Sequence, residues 1–127
     1  MASKRFEESC IFCKIVAGQI PSKQVYSDDD VLAFHDVNPA APVHVLIIPK
    51  EHIPTINDLQ ASDAEIMGKL MLAARKVASQ LGLAESGYRL ILNCGPDALQ
   101  SVFHIHMHLV GGQKMGWPPF PGDAQAH

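Results

Sequence analysis

The chain has 127 residues and a mass of 13.8 kDa, room for one domain when a domain takes roughly 150 residues. With 47% hydrophobic and 18% charged residues it has the composition of a packed globular protein, which excludes disorder over most of its length. Ten basic side chains against 13 acidic ones leave a net charge of −3 and a pI near 6.1, so no basic field is present to hold a nucleic acid or an anionic membrane. No apolar run approaches the roughly 20 residues that span a bilayer. The start, Met-Ala-Ser-Lys-Arg, lacks the apolar stretch of a secretory signal. A cytoplasmic location is therefore expected, with Cys10, Cys13 and Cys94 as reduced thiols, since an odd number does not make a disulfide framework.

In chain order, Ser9 is a candidate cap for a short helix over Cys10 to Ala17, stopped by Gly18 and Pro21. Gln24 to Tyr26 and Val31 to His35 read as strands joined through the Ser-Asp-Asp-Asp turn. After Asn38-Pro39-Ala40-Ala41-Pro42, the apolar run Val43 to Ile48 reads as a central strand covered on both faces, ended by Pro49. From Ser62 to Leu81 the period becomes helical: Ile66, Leu70, Ala73, Ala74, Val77 and Leu81 form one stripe, Ser62 and Glu65 a capping box, and Gly82 the stop. Tyr88 to Asn93 and Val102 to Val110 are the last strands, separated by the loop Cys94 to Ser101. Residues 1–9 are expected as a flexible N-terminus, and residues 111–127 as a proline-rich tail that cannot be regular structure. Five strands, one long helix and one short one, segregated and not alternating, predict a single α+β domain with a mainly antiparallel sheet.

The chemistry concentrates in Phe103-His104-Ile105-His106-Met107-His108-Leu109. On a strand, alternate residues face opposite ways, so Phe103, Ile105, Met107 and Leu109 are expected in a core and the histidines on the other face. Imidazoles at every second position imply a function that needs them. In one reading they chelate a catalytic metal with a third ligand from elsewhere; in the other the middle one is a nucleophile whose neighbours hold and protonate the reacting group. His104 and His108 lie about 13 Å apart along a strand, which favours the second. Asn93, Gln100 and Ser101 add donors without carboxylates, a set suited to an anion such as a phosphoryl oxygen, and no Walker-type or Gly-x-Gly-x-x-Gly loop offers another phosphate site.

The run His104 to Val110 resembles the histidine-triad (HIT) motif, in which histidines alternate with apolar residues. The resemblance extends through Ile11-Phe12-Cys13-Lys14-Ile15, Ala33-Phe34-His35-Asp36, His44-Val45-Leu46-Ile47-Ile48-Pro49-Lys50, Gly111-Gly112 and Trp117-Pro118-Pro119. The last of these is more similar to the Hint branch, the histidine-triad nucleotide-binding proteins, than to the dinucleoside-polyphosphate branch. The resemblance implies a homodimer of HIT-like folds that binds purine nucleotides and hydrolyses adenosine 5′-phosphoramidates to AMP and an amine, with no cofactor needed for catalysis. It assigns His106 as nucleophile on the α-phosphorus, His108 to the phosphate, His44 to proton relay and His104 to completing the triad. It also places Asn93 and Ser101 at phosphate oxygens, Asp36 at the ribose hydroxyls, Phe12, Ile15, Ile20 and Phe34 around the base, and Val37 and Gln100 among the nucleotide-binding residues. The long helix is implied at the dimer interface and Trp117, in the tail, near the partner's site. Some relatives bind structural zinc in a pattern that Cys10, Cys13, His52 and His104 match.

Read without the resemblance, Asp36 is equally a turn residue before Asn38-Pro39, the apolar wall is plain core, and Cys10 and Cys13 are two buried thiols. One departure is Leu99, where the family's phosphate loop usually carries glycine. Two other functions stay open on the residues: a nucleotide-binding sensor or scaffold with little turnover, and a metal-dependent hydrolase.

Overall fold

The computed structural model describes residues 5–120. Residues 1–4 and 121–127, the outer parts of the expected N-terminal segment and tail, lie outside the described residues. The order is α1 (Ile11–Val16), β1 (Gln24–Ser27), β2 (Val31–His35), β3 (Val43–Pro49), α2 (Ala64–Gln80), β4 (Tyr88–Leu92) and β5 (Met107–Gly111). The strands form one antiparallel sheet of order β1-β2-β3-β5-β4. The α+β class expected from the sequence is the one observed.

Strand alternation divides the apolar residues between two layers. Val31, Ala33, Val45, Ile47, Met107 and Leu109 pack with Leu70, Ala73, Ala74 and Val77 of α2 on one face. Leu32, Phe34, Leu46 and Ile48 pack with Cys10, Phe12, Cys13 and Ile15 of the α1 segment on the other. A strand covered on both faces has no polar side to show, which is why β3 reads as a continuous apolar run. Helix α2 ends where Gly82 takes φ +76°, letting the Gly82 and Leu83 N–H groups donate to the Ser79 and Ala78 carbonyls.

Three expectations are corrected. The short helix is capped by Cys10, whose Sγ accepts the Cys13 N–H, and not by Ser9, whose hydroxyl donates to Glu7. Helix α2 starts at Ala64, after a 3₁₀ turn over Ala61–Asp63, with no Ser62–Glu65 box; Asp63 instead accepts the Gln60 N–H and the Arg5 guanidinium. Strand β5 begins at Met107 and not at Val102, because the ladders to β3 and β4 end at Met107, and the Ile105 N–H donates to the Ile53 carbonyl instead. Phe103 accordingly is exposed, while Ile105 remains in the core.

Candidate functional site

His44, His104, His106 and His108 lie on the α1 side of the sheet. Leu46 opposes His108 in the β3–β5 ladder and His44 opposes Val110, so His44 and His108 are diagonal neighbours on one face. His44 Nε2 lies 2.9 Å from His108 Nδ1 and 3.5 Å from Asp36 Oδ2. The His106 ring centroid is 5.0 Å from that of His108 and 5.1 Å from that of Phe12, which meets it edge to face.

Backbone groups set where each proton sits. Ala40 N–H donates to His44 Nδ1 at 2.9 Å, which puts the proton of neutral His44 on Nε2, donating to His108 Nδ1. His108 must then carry its own proton on Nε2, a buried atom with no partner among the described residues. A buried donor left unpaired is unusual enough to mark a place for a ligand atom. His106 Nδ1–H donates to the His104 carbonyl at 2.8 Å, leaving Nε2 with its lone pair. Burial pushes His106 below the ordinary imidazole range and His108 to about 4, so both are neutral at pH 7.

Asp36, His44 and His108 bring ligand-type atoms close enough for a cation. The Ala40 bond argues against one: a metal on His44 Nε2 would force the proton onto Nδ1, where it would face another donor. His44 and His108 instead form a hydrogen-bonded chain that starts at the Ala40 N–H.

A second cluster has the opposite character. His104, with none of its surface exposed, donates Nε2–H to the Pro49 carbonyl at 2.8 Å and so turns the Nδ1 lone pair toward Cys10 Sγ at 3.3 Å, Cys13 Sγ at 3.5 Å and His52 Nδ1 at 3.3 Å. The four donor atoms lie within 4.8 Å of one another. Burial lowers His104 to about 4 and raises the Cys13 thiol to about 11. Two sulfurs and two imidazole nitrogens converging on one point, with a carbonyl orienting one ring from behind, fit a tetrahedral zinc.

Phe12, Ile15 and Phe34 are buried beside the histidine face with Ile20 partly buried against them, whereas Val37 is almost fully exposed. Asn93 follows β4 directly. Ser101 is exposed and shares a cavity with Cys10 and His52. Gln100 departs from expectation: its amide donates to the Pro54 and Val102 carbonyls and accepts from Gly95 N–H, so it closes the loop and has no donor left for a phosphate. Trp117 is exposed at the sheet edge, 5.7 Å from the Arg89 guanidinium, which also donates to the Gly116 carbonyl. Sequence reasoning missed the carbonyls of Pro49 and His104 and the N–H of Ala40, because backbone groups carry no side-chain signal.

A mixed α+β domain with a row of hydrogen-bonded histidines on one sheet face, beside a Cys₂His₂ cluster, defines the class. The profile of the HIT domain family matches residues 17–115, and the chain belongs to that family. It is 50% identical over 109 residues to the purine nucleoside phosphoramidase of Escherichia coli K12, covering 86% of this chain and 92% of that protein. It is 49% identical over 121 residues to a 14 kDa zinc-binding protein of Zea mays, covering 93% and 94%. A HIT family hydrolase from Legionella pneumophila Philadelphia 1 superposes with a TM-score of 0.86 at 49% identity, covering 88% of this chain and all (100%) of that one.

Leu99 sits at φ +61° with its side chain 81% exposed, a left-handed backbone that costs a non-glycine residue roughly 1–2 kcal/mol. Leu99→Gly removes that cost but adds unfolded-chain entropy of about 0.5–1 kcal/mol, so urea denaturation is expected to show a net gain of about 0.5–1 kcal/mol.

Proposed function

We propose that the protein is a purine nucleoside phosphoramidase that cleaves the P–N bond of adenosine 5′-phosphoramidates through a nucleotidyl-histidine. The observation that carries this reading is the pairing of a bare His106 Nε2 with an unpartnered His108 Nε2–H on neighbouring rings. His106 attacks the α-phosphorus, the P–N bond breaks, and the leaving amine takes a proton relayed through the His44–His108 pair. Water then attacks the phosphorus and returns a proton to the His44–His108 pair, the P–Nε2 bond breaks, and AMP leaves. His108 Nε2–H and Ser101 hold phosphate oxygens, with Asn93. Asp36, an acceptor-only group, matches the two donors of the ribose diol, and Phe12, Ile15, Ile20, Phe34 and Val37 flank the base. Gln100 acts by shaping the loop. The 50% identity to a named purine nucleoside phosphoramidase supports the substrate class.

Turnover on a panel of adenosine and guanosine phosphoramidates, with AMP as competitor, tests this. His106→Ala is expected to lose at least about a thousandfold in kcat, roughly 4 kcal/mol, while keeping AMP binding; retention of more than about a tenth of turnover contradicts the assignment. Because His106 is lowered and His108 stands at about 4, both stay neutral down through pH 6.5, and kcat/KM of the free enzyme is expected to fall only below that, as protonation removes the nucleophilic lone pair.

Cys10, Cys13, His52 and His104 would hold one structural zinc, tying α1 to the histidine segment; when bound it supplies cross-linking and takes no part in the reaction. The maize relative's name supports the choice of metal. Elemental analysis after growth with ample zinc is expected to find about one ion per chain, and His52→Ala to lower both zinc content and melting temperature; protein without zinc contradicts the site.

A homodimer is the further part of the reading. Met71 and Leu72 of α2 are exposed, and β4 is a sheet edge whose residues are only half-buried, a combination that invites a second copy. Across that edge Trp117 reaches the partner's site. Sedimentation is expected to give about twice the chain mass at micromolar concentration, and a single-chain mass contradicts it.

A further inference from the structure

Cys10 and Cys13 have surroundings that support a second chemistry besides metal binding. Their sulfurs lie within 4.8 Å of one another, with the Cys13 N–H donating to Cys10 Sγ at 3.3 Å, a separation that side-chain rotation can close to a bond. Cys-x-x-Cys at the start of a helix is a spacing at which dithiols close reversibly. His52 Nδ1 lies 3.3 Å from Cys13 Sγ. A cavity of about 440 Å³, lined by Glu7, Ser9, Cys10, His52, Ser101 and Phe103 among others, opens on Cys10 and His52. Cys13 is 1% exposed and does not line it. A small oxidant therefore reaches Cys10 first, with Cys13 behind it as the resolving thiol.

We propose that Cys10 and Cys13 form a peroxide-responsive dithiol whose closure to a disulfide empties the metal cluster and, through His104, slows the chemistry at His106. The Cys10 thiolate attacks one peroxide oxygen, the O–O bond breaks, and Cys10 becomes a sulfenic acid while the peroxide is reduced to water or an alcohol. Cys13, a thiolate in the loaded cluster, attacks the Cys10 sulfur. The S–S bond forms, the S–O bond breaks, and the departing hydroxide takes a proton from solvent as water. Two electrons from the two thiolates and two protons from solvent thus reduce one peroxide. A disulfide is no thiolate donor, so two of four ligands are lost. His104 then loses its partner at Nδ1 and keeps the Pro49 bond at Nε2, and its carbonyl is the acceptor that orients His106. The effect on turnover rests on the phosphoramidase reading; the disulfide does not.

The zinc-loaded full chain is treated with a small excess of hydrogen peroxide, alkylated, and mapped without reduction by mass spectrometry, with a chromogenic chelator reading zinc and an adenosine phosphoramidate reading turnover. A Cys10–Cys13 disulfide is expected, with zinc released in step and turnover down by about tenfold, all restored by dithiothreitol and zinc. Cys94→Ser is expected to keep the disulfide. Oxidation confined to Cys94, a bond from Cys94 to either partner, or sulfinic acid on Cys10 with Cys13 still free overturns the proposal. A Cys10–Cys13 disulfide with turnover unchanged within about twofold overturns the coupling through His104. Reduced protein that never turns the substrate over counts against the phosphoramidase reading alone, and the mass and zinc readouts then decide the dithiol.

Discussion

The fully buried His104 is engaged at three points, and the rest of the site depends on how they are shared. Its Nε2–H is held by the Pro49 carbonyl, its Nδ1 lone pair faces two sulfurs and His52, and its own carbonyl accepts from His106. Because Pro49 ends β3, the sheet dictates the tautomer of His104; because His104 holds His106 Nδ1–H, the same sheet dictates which nitrogen of His106 is bare. Losing one such buried bond costs about 1–3 kcal/mol, and here the loss would also free the ring next in line.

Burial explains why imidazoles suit this place. A histidine in water is partly protonated at neutral pH, and a protonated one has no lone pair with which to attack phosphorus. Packing against Phe12 and the neighbouring rings removes water and holds His106 and His108 neutral. Asp36, close to His44, opposes that push on both rings. Burial outweighs that pull, since both rings stand below the ordinary imidazole range.

Much of this was legible in the sequence, and unevenly. The α+β class followed from strands and helices that are segregated along the chain, the histidine face from period-two alternation around His104 to His108, and the set Cys10, Cys13, His52 and His104 from the resemblance to zinc-binding relatives. The start of β5 was placed too early because alternation continues through Ile105 after the ladder has stopped at Met107. The Ser62–Glu65 cap failed because Arg5, remote in sequence, engages Asp63. Gln100 reads as a phosphate donor until the carbonyls of Pro54 and Val102 come within reach. Each miss arises from a partner distant in the chain or from a backbone group with no signal of its own.

The central claim is that His106 becomes covalently nucleotidylated. A single turnover with an adenosine phosphoramidate, quenched in alkali, where a phosphorus–histidine bond survives, and followed by peptide mapping tests it most directly. The account predicts an adenylyl group on the peptide carrying His106 that forms and decays within one turnover and is absent from His106→Ala. AMP released at the full rate with no modified peptide at any time point would contradict it.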